Sequence, residues 1–368
     1  MTQDPSWIER ALRGDATLGE LECLDPDIAL DQVRRNGVGG LLLRAFRKNA
    51  QSPSWATRLR DEQRAAAIWE LRHQQVISHA IEVLDTAGCE PILLKGTALA
   101  YWLYADPSLR PRGDTDILIR EDSRIAAESA LARSGFSRRF GIDGKVVTHQ
   151  ATYSLRAPDG TIHALDLHWR ANNSPILAPL FPHSELSHYS EALGTLGPAA
   201  RRTDATRSLL LACAHRAVHE ANPYYVDNEK VGGLSRLVWL YDIHLLCEAL
   251  SPQAWADLPT TCRAKGLTRI VSAALADAKQ RLGARVPADV EGALASTRNE
   301  EVVHSYLCSD KPTQRRMDWR ARPWVDRFRF LHEVALPSAT YMRTRYADDT
   351  TWLPWLYLRR LASGWRAS

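Results

Sequence analysis

Two aspartates stand two residues apart in the run Gly113-Asp114-Thr115-Asp116. In an extended segment, side chains two apart point to one face, so this spacing presents two carboxylates side by side. Two such charges repel unless a cation lies between them. A hard divalent ion meets that need, because Mg²⁺ prefers carboxylate oxygens and keeps positions open for phosphate oxygens; Mn²⁺ accepts the same donors. Later in the chain, Ile162-His163-Ala164-Leu165-Asp166-Leu167-His168-Trp169 alternates, which puts Asp166 and His168 on one face. If that strand pairs beside the first, Asp166 completes a two-metal site in which Asp114, Asp116 and Asp166 are at once metal ligands and catalytic groups.

Upstream lies Lys95-Gly96-Thr97. Here Gly96 would let the backbone approach a phosphate, Thr97 offers a hydroxyl, and a following helix would turn its first N–H groups toward an anion. Lys95, Arg110 and Arg112 are cations that could neutralise phosphate charge; ordinary surface or core-rim charges explain them equally well. His215 and His219 share a helix face, but His215-Arg216-Ala217-Val218-His219 lacks the Glu of a zinc protease. A packing role or a place at the edge of a site suits them better.

Several elements must position these groups. Helical periodicity runs from Ser54 to about Asp85, and Gly88 stands at its end. Pro91 to Leu94 is a short apolar run, the pattern of a buried strand, with Thr97 as cap of a short helix after it. A second strand is expected over Asp114 to Ile119, then a helix ending at Ser134-Gly135. Segments 146–155 and 161–170 read as alternating strands, joined by the hairpin signal Pro158-Asp159-Gly160. Beyond about residue 172 helices follow one another: 204–221, 233–250, 252–265, 267–282, 286–296 and 324–336. The expected fold is mixed α/β (α+β), a small mixed sheet between helical segments. Three parts follow: an N-terminal helical segment over 1–53, a core over 54–172 and a helical C-terminal region over 173–368.

These motifs resemble a known pattern. Leu94-Lys95-Gly96, Tyr104-Ala105-Asp106-Pro107, Arg110-Pro111-Arg112-Gly113-Asp114-Thr115-Asp116 and Asp166-Leu167-His168-Trp169 together are similar to the uncharacterised nucleotidyltransferase family, within the polymerase-β-like superfamily. The resemblance is best over 90–170. It implies metal-dependent transfer of a nucleoside monophosphate from a nucleoside triphosphate, ATP favoured, with two Mg²⁺ ions on Asp114, Asp116 and Asp166. It assigns nucleotide contacts to Lys95, Gly96, Thr97, Arg110, Arg112, Gly113 and His168. For His168, support of a ligand and an ordinary strand position stay open. The acceptor, a small molecule, peptide or protein, is left unnamed. Thr97 stands where the superfamily has Gly or Ser, and the gap from Gly96 to Asp114 is longer than usual. A non-catalytic nucleotide-binding or antitoxin-like protein on the same fold is the alternative.

Composition narrows the class. The 368 residues carry a formal charge of +4, with 47 basic against 43 acidic residues, a balance that does not indicate a nucleic-acid partner. The six Cys lie far apart, with no CxxC pair, as expected of reduced thiols in a cytoplasmic protein. No apolar run approaches a membrane span, and no signal peptide is expected. The aromatic and basic stretch from Trp352 to Leu361 suggests a terminal helix docked on a core, or one lying on a membrane surface.

Overall fold

The computed structural model describes residues 6–362 apart from 142–143, 223, 227–228, 232–234, 297–300 and 347–350. Five helices come first: α1 (Ser6–Arg13), α2 (Leu18–Glu22), α3 (Pro26–Asn36), α4 (Gly39–Lys48) and the 31-residue α5 (Ala56–Thr86). The sheet strands follow, interrupted by helices: β1 (Ile92–Leu93), α6 (Lys95–Trp102), β2 (Asp116–Leu118), α7 (Arg124–Arg133), β3 (Ser137–Arg138), β4 (Gln150–Arg156), β5 (Ile162–His168), α8 (His183–His188), β6 (Ser190–Ala192) and β7 (Arg201–Thr203). The rest is helical apart from a short ribbon, β8 (Tyr224–Val226) with β9 (Glu229–Val231). These helices are α9 (Ala205–Ala221), α10 (Leu237–Ala249), α11 (Pro252–Lys265), α12 (Thr268–Leu282), α13 (Ala288–Ala295), α14 (Val302–Cys308), α15 (Lys311–Ala321), α16 (Trp324–Ala335), α17 (Ala339–Tyr346) and α18 (Leu353–Ala362).

The seven sheet strands run in the order β3-β4-β5-β2-β1-β7-β6. The β2–β5 and β1–β7 pairs are parallel, and the other pairs are antiparallel. This is the mixed α/β architecture expected from the residue pattern. The strands β6 and β7, however, lie beyond residue 172, so an expected boundary there cuts through the sheet. No Val-rich or Ile-rich run announces them; each spans three residues and includes Arg or Glu.

Strand alternation divides the interior in two. Leu93, Ile117, Ile119, Leu165 and Leu167 point to one face and pack with Ile77, Ile81 and Leu84 of α5 and with Leu131 of α7. Ile92, Leu94 and Leu118 point to the other face, into a larger core shared with α1, α3, α4 and helices α9 to α14. The N-terminal helices therefore pack with the C-terminal ones: Arg281 of α12 bonds Glu9 of α1 at 2.7 Å, and Trp7, Leu30 and Ile243 belong to one core. Each fully buried Leu or Ile contributes roughly 1.5–3 kcal/mol relative to exposure. Local signals set the helix ends. Ser251 accepts a bond from the Ala254 amide ahead of Pro252, and Gly266 closes α11 at φ 62°.

Asp116 shares a face with Leu118, and Asp166 shares one with His168. That face looks toward the larger, helical core, so the carboxylates open onto α9 rather than onto α5.

Candidate active site

Parallel pairing of β2 with β5 sets Asp116 directly opposite Asp166, and Leu118 opposite His168. Oxygens of Asp116 and Asp166 and a ring nitrogen of His168 all lie within 4.8 Å of one another. Neighbouring groups hold one oxygen of each aspartate. Asp116 Oδ1 accepts from Lys95 Nζ at 2.9 Å and lies 2.7 Å from His168 Nε2. Asp166 Oδ1 accepts from the Thr152 hydroxyl at 2.6 Å. Among the described residues, Oδ2 of both aspartates stays without a hydrogen bond.

His168 has a buried Nδ1 with no partner. A proton on Nδ1 would leave a buried donor unsatisfied and aim the Nε2 lone pair at a carboxylate. The tautomer with its proton on Nε2 avoids both costs and donates to Asp116. His168 thus holds Asp116 in place.

Asp114 lies in the loop before β2, not within the strand as expected, and is exposed. It still lines the same cleft as Asp116, Asp166, Lys95 and His168. Desolvation by the cleft walls, then the charges of Asp116 and Asp166, push its carboxyl up to about 7. Asp116 goes the other way. Burial alone would raise it, but the Lys95 ammonium and the His168 bond hold it far below the usual carboxylate range. Lys95 keeps its proton more firmly than usual: burial opposes the charge, and Asp116 outweighs burial. Lys95 also sits at φ 49°, a left-handed conformation that costs a non-glycine residue about 1 kcal/mol or more. Its neighbours in the fold, Leu94 bonded to the Asp116 carbonyl and α6 starting at once, hold it there.

The rest of the expected phosphate set is differently employed. α6 begins at Lys95 after Leu94, so Thr97 is inside the helix and does not cap it. Thr97 is fully buried, its hydroxyl 3.0 Å from that of Thr115 and accepting from Arg112 Nε at 3.0 Å. Arg112 in turn pairs with buried Glu70 of α5 at 2.5 Å, and Tyr101 donates to the same oxygen. His73 of α5 completes this network, 2.9 Å from Thr115 and 3.2 Å from His163; burial holds it neutral, at about 2. Arg110 pairs with buried Asp242 of α10 at 2.7 Å, and Tyr104 bonds the same carboxylate at 2.6 Å. Gly96 makes room for Arg110: a Cβ there would lie 2.6 Å from its Nη1. Gly96, Thr97, Arg110 and Arg112 are thus not among the residues that line the cleft with the aspartates; Glu70 and Asp242 hold the two arginines behind it. Gly113 is exposed and crowded by nothing.

The cleft, of about 370 Å³, lies between the sheet and α9. Leu211, Ala214, His215, Val218 and His219 face it at helical spacing. Both histidines pack on Trp239, with ring centroids 5.2 and 5.0 Å away. Burial, then the nearby Lys95 charge, keeps both neutral, His219 at about 4. Their place at the edge of a site fits the arrangement of the chain. Gln150, Asn172 and Asn173 also line the cleft and carry no recognisable motif. Thr152 was findable: a hairpin folded about Asp159 sets it opposite Asp166.

A family model described as an uncharacterised nucleotidyltransferase matches residues 22–283. No curated protein matches the chain. Among solved structures, an antigenic nucleotidyltransferase-like protein from Paracoccidioides brasiliensis is similar at 17% identity, over 63% of this chain and 96% of that one, with a TM-score of 0.38.

Proposed function

Because the chain belongs to the uncharacterised nucleotidyltransferase family, we propose that it moves a nucleoside monophosphate from a nucleoside triphosphate, ATP favoured, to the hydroxyl of an acceptor, with release of pyrophosphate. The observation that carries this reading is the pairing of Asp116 with Asp166, each with one oxygen anchored and the other left without a bond, beside Asp114. The donors fit Mg²⁺ or Mn²⁺, since three carboxylates converge on one cleft. Ions bound there would supply charge neutralisation for the triphosphate and a lowered pKa for the attacking hydroxyl.

The chain's own groups do the rest. Lys95 presents a fixed positive charge beside the carboxylates and favours an anionic ligand. Lys95 and His168 keep Asp116 ionised and oriented, and Thr152 orients Asp166. The Asp166 carboxylate takes the proton of the acceptor hydroxyl. The new bond joins the acceptor oxygen to the α-phosphorus while the bond to the pyrophosphate oxygen breaks.

The test supplies each NTP labelled at the α-phosphate, with Mg²⁺ or Mn²⁺ and a cell extract, and follows adducts by mass spectrometry. Transfer by wild type and none by Asp116→Asn or Asp166→Asn is the expected result. Nucleotide binding with no adduct in any extract points instead to the non-catalytic use of the fold.

A further inference from the structure

The cleft does not account for the C-terminal face. The described residues include 16 exposed large apolar side chains, and eight of them lie between Trp324 and Leu358. Trp324 is 70% exposed, Phe328 68%, Trp352 74% and Trp355 58%. They fall on two helices. On α16, Trp324, Phe328 and Leu331 recur at spacings of four and three and form one stripe, and the helix has no fully buried residue. At 3.6 residues per turn, Arg327 and Arg329 fall on either side of that stripe. Trp352, just before α18, with Trp355 and Leu358 within it, repeats the pattern at spacings of three, and the buried Leu356 packs with Tyr341 and Met342. The two helices are tied together: Tyr357 donates to the Pro337 carbonyl at 2.6 Å, and Arg360 to that of Val334 at 3.3 Å.

The surroundings are basic. From Arg322 to Arg360 the chain has seven Arg against four Asp and Glu. Of those acids, Asp326 pairs with Arg329 at 3.6 Å, and Glu333 accepts from the backbone N–H groups of Lys145, Val146 and Val147 at 2.8–3.0 Å, which moor α16 to the rest of the protein.

We propose that this face docks on the surface of an anionic membrane. Exposed Trp and Phe with Arg beside them suit the headgroup region, where the rings enter the acyl boundary and the guanidinium groups stay with lipid phosphates. A second copy fits less well. A two-fold dimer through this face would set the Arg-rich patch against itself. Docking is peripheral, since no described helix is long and apolar enough to cross a bilayer.

Co-sedimentation of the full chain with phosphatidylcholine vesicles, with and without 30 mol% phosphatidylglycerol, tests the idea; that composition is roughly a third anionic lipid, enough for a basic patch to sense. Binding to the anionic vesicles is expected, reduced at least about tenfold by high salt and by the set Trp324→Ser, Phe328→Ser, Trp352→Ser and Trp355→Ser. These positions are exposed, so an unchanged thermal melt certifies the variant. Should it misfold, quenching of wild-type Trp fluorescence by brominated anionic lipid replaces it. No sedimentation and no quenching overturns the proposal. So does binding that the substitutions leave intact, or lipid-free dimerisation that they abolish.

Discussion

Asp116 and Asp166 sit opposite each other on adjacent parallel strands, and each is gripped by one oxygen only. Lys95 and His168 hold the first, Thr152 the second. The ungripped oxygens make these two carboxylates the centre of the proposed site. Asp116→Asn and Asp166→Asn should each lower transfer by at least about a hundredfold, since ion-mediated charge stabilisation is worth several kcal/mol. Mn²⁺ affinity, followed by the paramagnetic signal of the free ion, should fall in both. Retained affinity in both variants would separate the aspartates from ion binding.

The Arg110–Asp242 pair carries a second expectation. It joins the loop before the aspartates to α10, and both side chains are buried. Asp242→Ala leaves a buried guanidinium unpaired and should cost about 3–5 kcal/mol. Gly96→Ala drives a Cβ against that guanidinium, where the Asp242 bonds restrain it, and should cost about 1–3 kcal/mol. Urea melts of both variants check the values. A Gly96→Ala protein as stable as wild type would show that Arg110 moves aside at little cost.

Behind the aspartates, the Thr115 hydroxyl joins His73 to Thr97. Thr115→Val keeps the shape and removes the hydroxyl, leaving buried polar partners behind. A loss of about 1–3 kcal/mol is expected. The urea slope should stay the same, because the surface exposed on unfolding is unchanged. An unaltered midpoint would mean that water or a shifted rotamer fills the gap.

Much of this arrangement was legible in the residues. Alternation alone paired Asp166 with His168, and the hairpin signal at Pro158-Asp159-Gly160 is followed by the β4–β5 register. The phosphate reading of Gly96, Thr97, Arg110 and Arg112 meets other contacts in the fold, and the reason is physical. Spacing along the chain groups these residues in one task, whereas the partners of Arg112 and Arg110, Glu70 and Asp242, lie 42 and 132 residues away. Local spacing reports which face a side chain takes within its element. It does not report which distant helix supplies the opposite charge. The strands β6 and β7 were missed for a related reason, since three-residue strands carry too little alternation to stand out.

Asp114 yields the last expectation, through pH. Its carboxyl is raised from the ordinary 3.8 to about 7 in the folded chain, by desolvation in the cleft and by Asp116 and Asp166. Below the ordinary value it is protonated folded or unfolded and has no effect on stability. As pH rises, the unfolded chain ionises first, so the fold loses stability between about 4 and 7 and keeps that deficit above. Without divalent ions, Asp114→Asn should therefore melt at higher temperature than wild type at pH 8, and the gap should close toward pH 4. Mg²⁺ added at pH 8 should raise the wild-type melt more than that of the variant, because the ion relieves the repulsion that the substitution has already removed. Melting curves over pH 4–8, with and without Mg²⁺, decide the matter, and a variant that melts below wild type at pH 8 would mean that Asp114 is held by contacts stronger than the repulsion around it.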